Sequence, residues 1–200
     1  MPSRSYVLEN EFTEVVPWHS VYYFNSIETW KIIQAGQNIE LASPLEQATV
    51  NIQDLDLGIR DCLTSFLHSD RNEWLFKKLS KIIKEVNSQH FKFDLHYIEA
   101  LQFTMYSEDK NGFYDTHSDT IYGVKTMAGQ RKLSFSIQLS NPNSYEGGDL
   151  LLHVAKTPII MSREMGVINF FSSFIPHQVT PVTKGTRYSL VGWINGPSFR

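Results

Sequence analysis

Only one cysteine, Cys62, occurs in the 200 residues, which excludes an internal disulfide framework and a zinc module built on cysteine pairs. Long apolar runs are missing too: segments such as 167–171 fall far short of the ~20 residues a membrane-crossing helix needs. Neither sign of charge dominates, since 18 Lys+Arg against 21 Asp+Glu leave a net charge of -3, so there is no electrostatic footprint for nucleic acid. Glycine (11) and proline (8) are sparse and follow no period, which excludes collagen-like and low-complexity classes. The opening stretch from Met1 has no apolar core of the kind a secretory signal carries. The expectation is therefore a cytoplasmic protein without membrane or nucleic-acid partners, with Cys62 serving as a small buried hydrophobe in its reduced form. The composition leaves the oligomeric state open.

An apolar fraction of 42% with 20% charged residues fits a folded chain and excludes whole-chain disorder. Residues 1–200 read as one domain, with 1–96 supplying a helical support layer and outer strands and 97–200 the core. In the first part, 18–24 reads as a strand and 27–37 as a helix closed by Gly36. A second helix follows Asp70, whose spacing to Glu73 matches a capping box. Leu75, Leu79, Ile82, Ile83 and Val86 recur there at helical spacing, and Lys77, Lys78, Lys81 and Lys84 read as its solvated face. The second part is a series of short strands at 99–106, 132–140, 149–154, 167–171, 178–182 and 187–193. In 132–140, Leu133, Phe135, Ile137 and Leu139 alternate with Ser134, Ser136, Gln138 and Ser140, a period of two. Turns fall at Asn141-Pro142-Asn143 and Gly147-Gly148. The expected fold class is mainly β with flanking helices, around a sandwich, jelly-roll or barrel core.

Among seven histidines, His117 stands two residues before Asp119. On an extended segment, positions i and i+2 project to one face, so an imidazole and a carboxylate reach one metal ion together. His177, after the Phe174-Ile175-Pro176 turn, is the candidate third ligand. Two histidines and a carboxylate form the facial triad of non-haem Fe(II) oxygenases, which leaves three coordination positions open. A structural zinc site is the competing use of the same donors. His68-Ser69-Asp70 repeats the tripeptide, but Asp70 is already assigned to the helix start and nothing downstream has the matching spacing. Ten residues after His177 comes Arg187, across a Lys184-Gly185 turn that suggests a hairpin, with Ser189 on the same face. A guanidinium fork beside a hydroxyl suits the remote carboxylate of a small dicarboxylic acid, although a surface ion pair would use arginine equally.

With these blocks in hand, the chain resembles the Fe(II)/2-oxoglutarate-dependent oxygenases, in particular their prolyl-4-hydroxylase-like branch, over residues 57–195. The resemblance is carried by Leu101 through Tyr106, Phe113 through Asp119, Arg131 through Ser134, Tyr145 through Leu150 and His177 through Trp193, in that order. It implies a double-stranded β-helix, a jelly-roll variety related to the cupins, with the iron site in 97–200. It also implies His117, Asp119 and His177 as Fe(II) ligands, Arg187 as partner of the distal 2-oxoglutarate carboxylate, Ser189 as its hydroxyl helper and Tyr106 as a further hydrogen-bond donor. Tyr114, Trp193 and Gln138 fall at positions that pack around such a site. The implied cofactors are Fe(II), 2-oxoglutarate as cosubstrate and O2, with ascorbate as an auxiliary reductant. The implied activity is hydroxylation of an unactivated C–H bond in a small-molecule or peptide substrate: a prolyl residue, a proline-like compound or a free amino acid. Aspartate at 119 favours hydroxylation over halogenation, because the related halogenases carry glycine or alanine there. The alternative is a catalytically silent jelly-roll module for metal binding or interaction. Residues 120–129 are expected to form part of a lid.

Overall fold

The structure, a computed structural model, describes residues 16–49, 56–120 and 129–198, so the lid expected at 120–129 lies almost wholly outside the described residues. The chain opens with β1 (Trp18–Tyr22) and α1 (Ser26–Gln37). Asn25 starts the helix: its Oδ1 accepts from the backbone N–H of Ile27 and Glu28, both at 3.0 Å, while Glu28 returns a carboxylate to the Asn25 N–H at 3.1 Å. That reciprocal pair satisfies donors a free helix end leaves open. Gly36 does not close this helix. It lies within it, and a Cβ there would stand 2.2 Å from Cγ of Phe103, so glycine is required for the helix to approach the sheet.

Next come β2 (Glu46–Gln47), β3 (Arg60–Asp61), β4 (Leu63–Leu67) and α2 (Glu73–Val86). The helical spacing holds, with Leu75, Leu79, Ile82, Ile83 and Val86 all buried. The capping box at Asp70 does not form. The helix starts later, because Asn72 is buried with its amide donating to the carbonyls of Leu41 (2.8 Å) and His68 (3.2 Å), and Asp70 is left exposed. Lys78 also departs from the expected solvated face. It reaches Glu28 of α1 at 2.6 Å and lies over the Phe24 ring, fastening the two helices together.

The remaining strands are β5 (Tyr97–Ile98), β6 (Leu101–Ser107), β7 (Phe113–His117), β8 (Gln130–Gln138), β9 (Tyr145–Gly147), β10 (Leu150–Leu152), β11 (Ile159–Ile160), β12 (Val167–Ser172), β13 (His177–Val179) and β14 (Val182–Gly196). Among the described residues they form two antiparallel sheets. The larger runs β1-β12-β8-β14-β6-β4-β2, with β5 and β9 also paired to β14, and the smaller runs β11-β10-β13-β7-β3. No helix of the described residues is long and apolar enough to cross a membrane.

The hairpin expected around Lys184 and Gly185 is absent. β13 belongs to the smaller sheet, and β14 runs straight through those residues. Val182, Lys184 and Gly185 pair with β9, whereas Thr186 onward pairs with β6. Gly185, at φ +71, sits where the strand changes partner, beside a register shift between Val182 and Lys184. A left-handed glycine lets the strand bend and twist at that step without reversing.

Two apolar clusters result. One joins Ile32, Leu75 and Leu79 of the helices to Leu101, Phe103, Phe135 and Phe170 on one face of the larger sheet. The other gathers Cys62, Tyr106 and Phe171 with Leu150, Leu152 and Val179 of the smaller sheet, and so lies between the sheets. The period of two in β8 is therefore a division between two buried faces. Leu133, Phe135 and Ile137 face the helices, while Ser134, Ser136 and Gln138 are equally buried on the inner side. A polar strand face turned inward must find hydrogen-bond partners, and that requirement locates the site.

Candidate active site

His117 closes β7 and lies directly across from His177, the first residue of β13. Asp119 falls two residues past His117 in a bend beyond the strand, held there by its N–H donating to the Ser173 carbonyl at 2.9 Å. The three donor sets converge: Nε2 of His177 is 3.6 Å from Asp119 Oδ2 and Nε2 of His117 is 3.9 Å from Oδ1. Among the described residues this is the one cluster of three or more such side chains able to hold a metal ion, with all ligand atoms within 4.8 Å of one another. The copy at His68 and Asp70 is exposed and joins no cluster, which leaves the rejection of that tripeptide standing although the helix cap offered for it does not form.

Both imidazoles are oriented by the same device. Nδ1 of His117 lies 2.8 Å from the Asp115 carbonyl, and Nδ1 of His177 lies 2.9 Å from the Ile175 carbonyl. A carbonyl only accepts, so each Nδ1 carries the proton and each Nε2 presents a lone pair toward Asp119. Burial first, and the neighbouring His177 second, push the His117 pKa down to about 4, so the ring stays neutral near pH 7. Burial alone would raise the Asp119 carboxyl. The protonated forms of the two imidazoles, His177 foremost, and the Ser134 hydroxyl outweigh it and hold the group below the usual carboxylate range. Ser134 donates to Oδ2 at 2.7 Å and is itself 2.8 Å from the Ser173 hydroxyl. A neutral His117 ring, an ionised carboxylate and two Nδ1-anchored imidazoles fit a divalent metal ion.

The second group of expected residues lies on the inner face of the larger sheet. Arg187 of β14 faces Tyr106 of β6 in register, with its guanidinium 5.4 Å from the Tyr106 ring centre. Ser189 follows on the same face, 3.4 Å from Arg187 Nη1, and pairs in register with Gln138. Arg187 is 3% exposed, and its Nε is buried with no hydrogen-bond partner. Gly148, at φ +65, leaves it room: a Cβ there would come within 2.8 Å of the Arg187 Cδ. Burial raises the Tyr106 phenol far above its ordinary value, so it stays a donor.

Of the flanking residues, Tyr114 stacks on His117 with ring centres 3.5 Å apart. Gln138 donates to the Tyr145 hydroxyl at 2.7 Å, and Trp193 lies under the Arg131 guanidinium at 4.0 Å. Cys62 is buried, its thiol pushed up chiefly by burial, in keeping with a packing role. Ser173, whose carbonyl accepts the Asp119 N–H, and Arg60 of β3, whose guanidinium lies 4.4 Å from the Tyr114 ring centre, carry no sequence signal of their own. Ser134, which anchors the Asp119 carboxylate, stands out in the sequence only as a polar position of its strand and part of a resemblance block.

Comparison with known proteins agrees with this geometry. The sequence profile of the 2OG-Fe(II) oxygenase superfamily matches residues 101–195. A PKHD-type hydroxylase of Synechococcus sp. (strain CC9311) is 36% identical over 93 residues, covering 46% of this chain and 41% of that protein. Another, of Prochlorococcus marinus (strain MIT 9301), is 34% identical over 132 residues, or 64% of this chain and 57% of that protein. The chain thus spans about half the length of the curated relatives it matches. In fold it is similar to a Pseudomonas putida prolyl-4-hydroxylase, with TM-score 0.70 and 19% identity over 90% of this chain and 92% of that one. It is also similar to a viral collagen prolyl hydroxylase of Paramecium Bursaria Chlorella virus-1 in complex with 2OG, with TM-score 0.67 and 17% identity over 90% and 97%. These likenesses match the expected double-stranded β-helix.

Proposed function

We propose that this chain, whose residues 101–195 match the 2OG-Fe(II) oxygenase superfamily, is a member of it and a hydroxylase of the prolyl-4-hydroxylase-like kind, acting on an unactivated C–H bond of a prolyl residue, a proline-like compound or a free amino acid. The observation that carries this is the pair of Nδ1-anchored histidines whose Nε2 atoms converge on the ionised Asp119. His117, Asp119 and His177 would hold Fe(II) on one side and leave the other side open. When bound, iron and 2-oxoglutarate supply dioxygen activation coupled to release of succinate and carbon dioxide. The protein's own contribution is placement. Arg187, with Ser189 and the Tyr106 hydroxyl beside it, takes the distal carboxylate of 2-oxoglutarate, and the unpartnered Arg187 Nε is the donor left available for it. The aromatic and apolar residues between the sheets exclude water from the reacting atoms. The same reading treats the chain as one unit, working in the cytoplasm, with ascorbate as auxiliary reductant.

Succinate release from 2-oxoglutarate under Fe(II) and O2 tests the reading directly. Wild-type protein should turn over, and Arg187→Ala should raise the 2-oxoglutarate requirement by about 30-fold or more, the cost of truncating one partner of a buried charge pair. Arg187→Lys should be milder. An iron-loaded protein that neither binds nor consumes 2-oxoglutarate would make the chain a silent jelly-roll module.

A further inference from the structure

We infer that Arg60 anchors a carboxylate on the primary substrate, so that the site takes a free amino acid or a chain-terminal residue in preference to the interior of a peptide. The inference rests on the reading of the site given above. Arg60 lies in β3 directly across from Tyr114 of β7, and Tyr114 in turn stacks on His117. Its guanidinium lies over the Tyr114 ring, 4.4 Å from the ring centre. It is 6% exposed, and its hydrogen bonds are few and neutral: Nε to the Cys62 sulfur at 3.2 Å and Nη1 to the Thr49 carbonyl at 3.2 Å. Nη2 is buried with no partner. The thiol beside it offers no counter-charge, because burial keeps it protonated.

Other arginines in the described residues are treated differently. Arg131 is held by both oxygens of Glu99, at 2.8 and 2.6 Å, and Arg163 is paired with Asp149. Arg71 is exposed beside Asp70. Arg60 and Arg187 alone among the described residues are guanidinium groups that are buried, lack a carboxylate and keep a free N–H. Arg60 donates to Cys62, which packs with Tyr106 in the cluster between the sheets, and Arg187 lies 5.4 Å from the Tyr106 ring centre, so both border that cluster. A buried cation without a counter-ion is costly, and the cost is removed when a ligand supplies the anion. The reaction has two organic reactants. The distal carboxylate of 2-oxoglutarate accounts for Arg187, so the anion for Arg60 falls to the other reactant. An internal peptidyl residue brings no such group, whereas a free amino acid or a C-terminal residue does. Arg60 Nη2 is closed to solvent, as Arg187 Nε is.

The experiment uses the Fe(II)- and 2-oxoglutarate-loaded protein without oxygen, following its visible charge-transfer band. The probes are L-proline and a panel of free L-amino acids, their carboxamides, and proline peptides with free or blocked termini. At least one free acid should perturb the band and bind about tenfold or more tightly than its amide. Arg60→Gln should erase that preference while shifting 2-oxoglutarate affinity by less than about threefold, and Arg60→Lys should restore part of it. Arg60→Lys keeps the buried charge and carries the test if the glutamine variant fails to fold. Equal binding of acids and amides, binding of blocked peptides alone, or no binding of any acid at millimolar concentration overturns the assignment. So does a loss of 2-oxoglutarate affinity in Arg60→Gln as large as in Arg187→Gln, which would give the anion to the cosubstrate. Wild-type protein that fails to bind 2-oxoglutarate overturns the reading of the whole site, a result distinct from normal 2-oxoglutarate binding with no acid preference.

Discussion

A histidine becomes a ligand here through what its other nitrogen does. His117 and His177 each give Nδ1–H to a carbonyl two residues back, so neither ring needs to turn to meet a metal ion. His68 is an exposed side chain in the same tripeptide setting. His177→Ala should therefore abolish activity with the fold kept, and His68→Ala should leave succinate release near wild type; the reverse pattern sinks the assignment. Ser134 is a positioning residue, because its hydroxyl fixes one Asp119 oxygen. Ser134→Ala should weaken Mn(II) binding about 10-fold while leaving thermal stability of the metal-free protein little changed, a split readable by titration and by melting. The triad was legible in the sequence because a short spacing carries two of its members. Ser173 and Arg60 were not legible, because each meets the site only through long-range contacts that no local pattern encodes, and Ser134 showed only as a polar position of its strand.

The elements show where local signals compete. Asn25-Ser26-Ile27-Glu28 and Asp70-Arg71-Asn72-Glu73 both offer a capping box, and the first forms whereas the second does not. What decides between them is tertiary: the Asn72 amide is drawn to the Leu41 carbonyl across the chain, and the helix start moves with it. Gly36 misled for a related reason. Glycine near the end of an apolar stretch reads as a stop, yet here it is a contact between α1 and Phe103. Gly36→Ala isolates that contact. Alanine would gain about 1 kcal/mol of helix propensity. Its Cβ would meet three Phe103 ring carbons at 2.2, 2.5 and 2.6 Å, and Phe103 is wholly buried with no room to retreat. Overpacking of this kind costs about 1–3 kcal/mol, so urea unfolding should show net destabilisation. Increased stability would mean that the helix moves off the sheet at little cost.

At the scale of the molecule, the larger sheet separates two jobs. Its outer face joins the helices in an apolar core, and its inner face carries serines, Gln138 and Arg187 toward the smaller sheet. The sequence marks the alternation but not what covers the polar side, because a serine facing water and a serine facing a buried site look alike in one dimension. The mainly β class was legible from strand spacing, while the hairpin misassigned at Lys184 shows that spacing does not say which sheet a strand joins. One consequence concerns stability. The triad gathers a carboxylate and two imidazoles inside the protein, and a metal ion that binds only the folded state stabilises it by mass action. With Mn(II) at about 100 times its Kd, the gain should be about 2.7 kcal/mol. For a chain of this size that corresponds to roughly 5–10 °C in Tm. The shift should vanish in His177→Ala and persist in His68→Ala. If Mn(II) left the wild-type melting temperature unchanged at saturating concentration, the converging Nε2 atoms would be packing groups, and the site would have no metal to place.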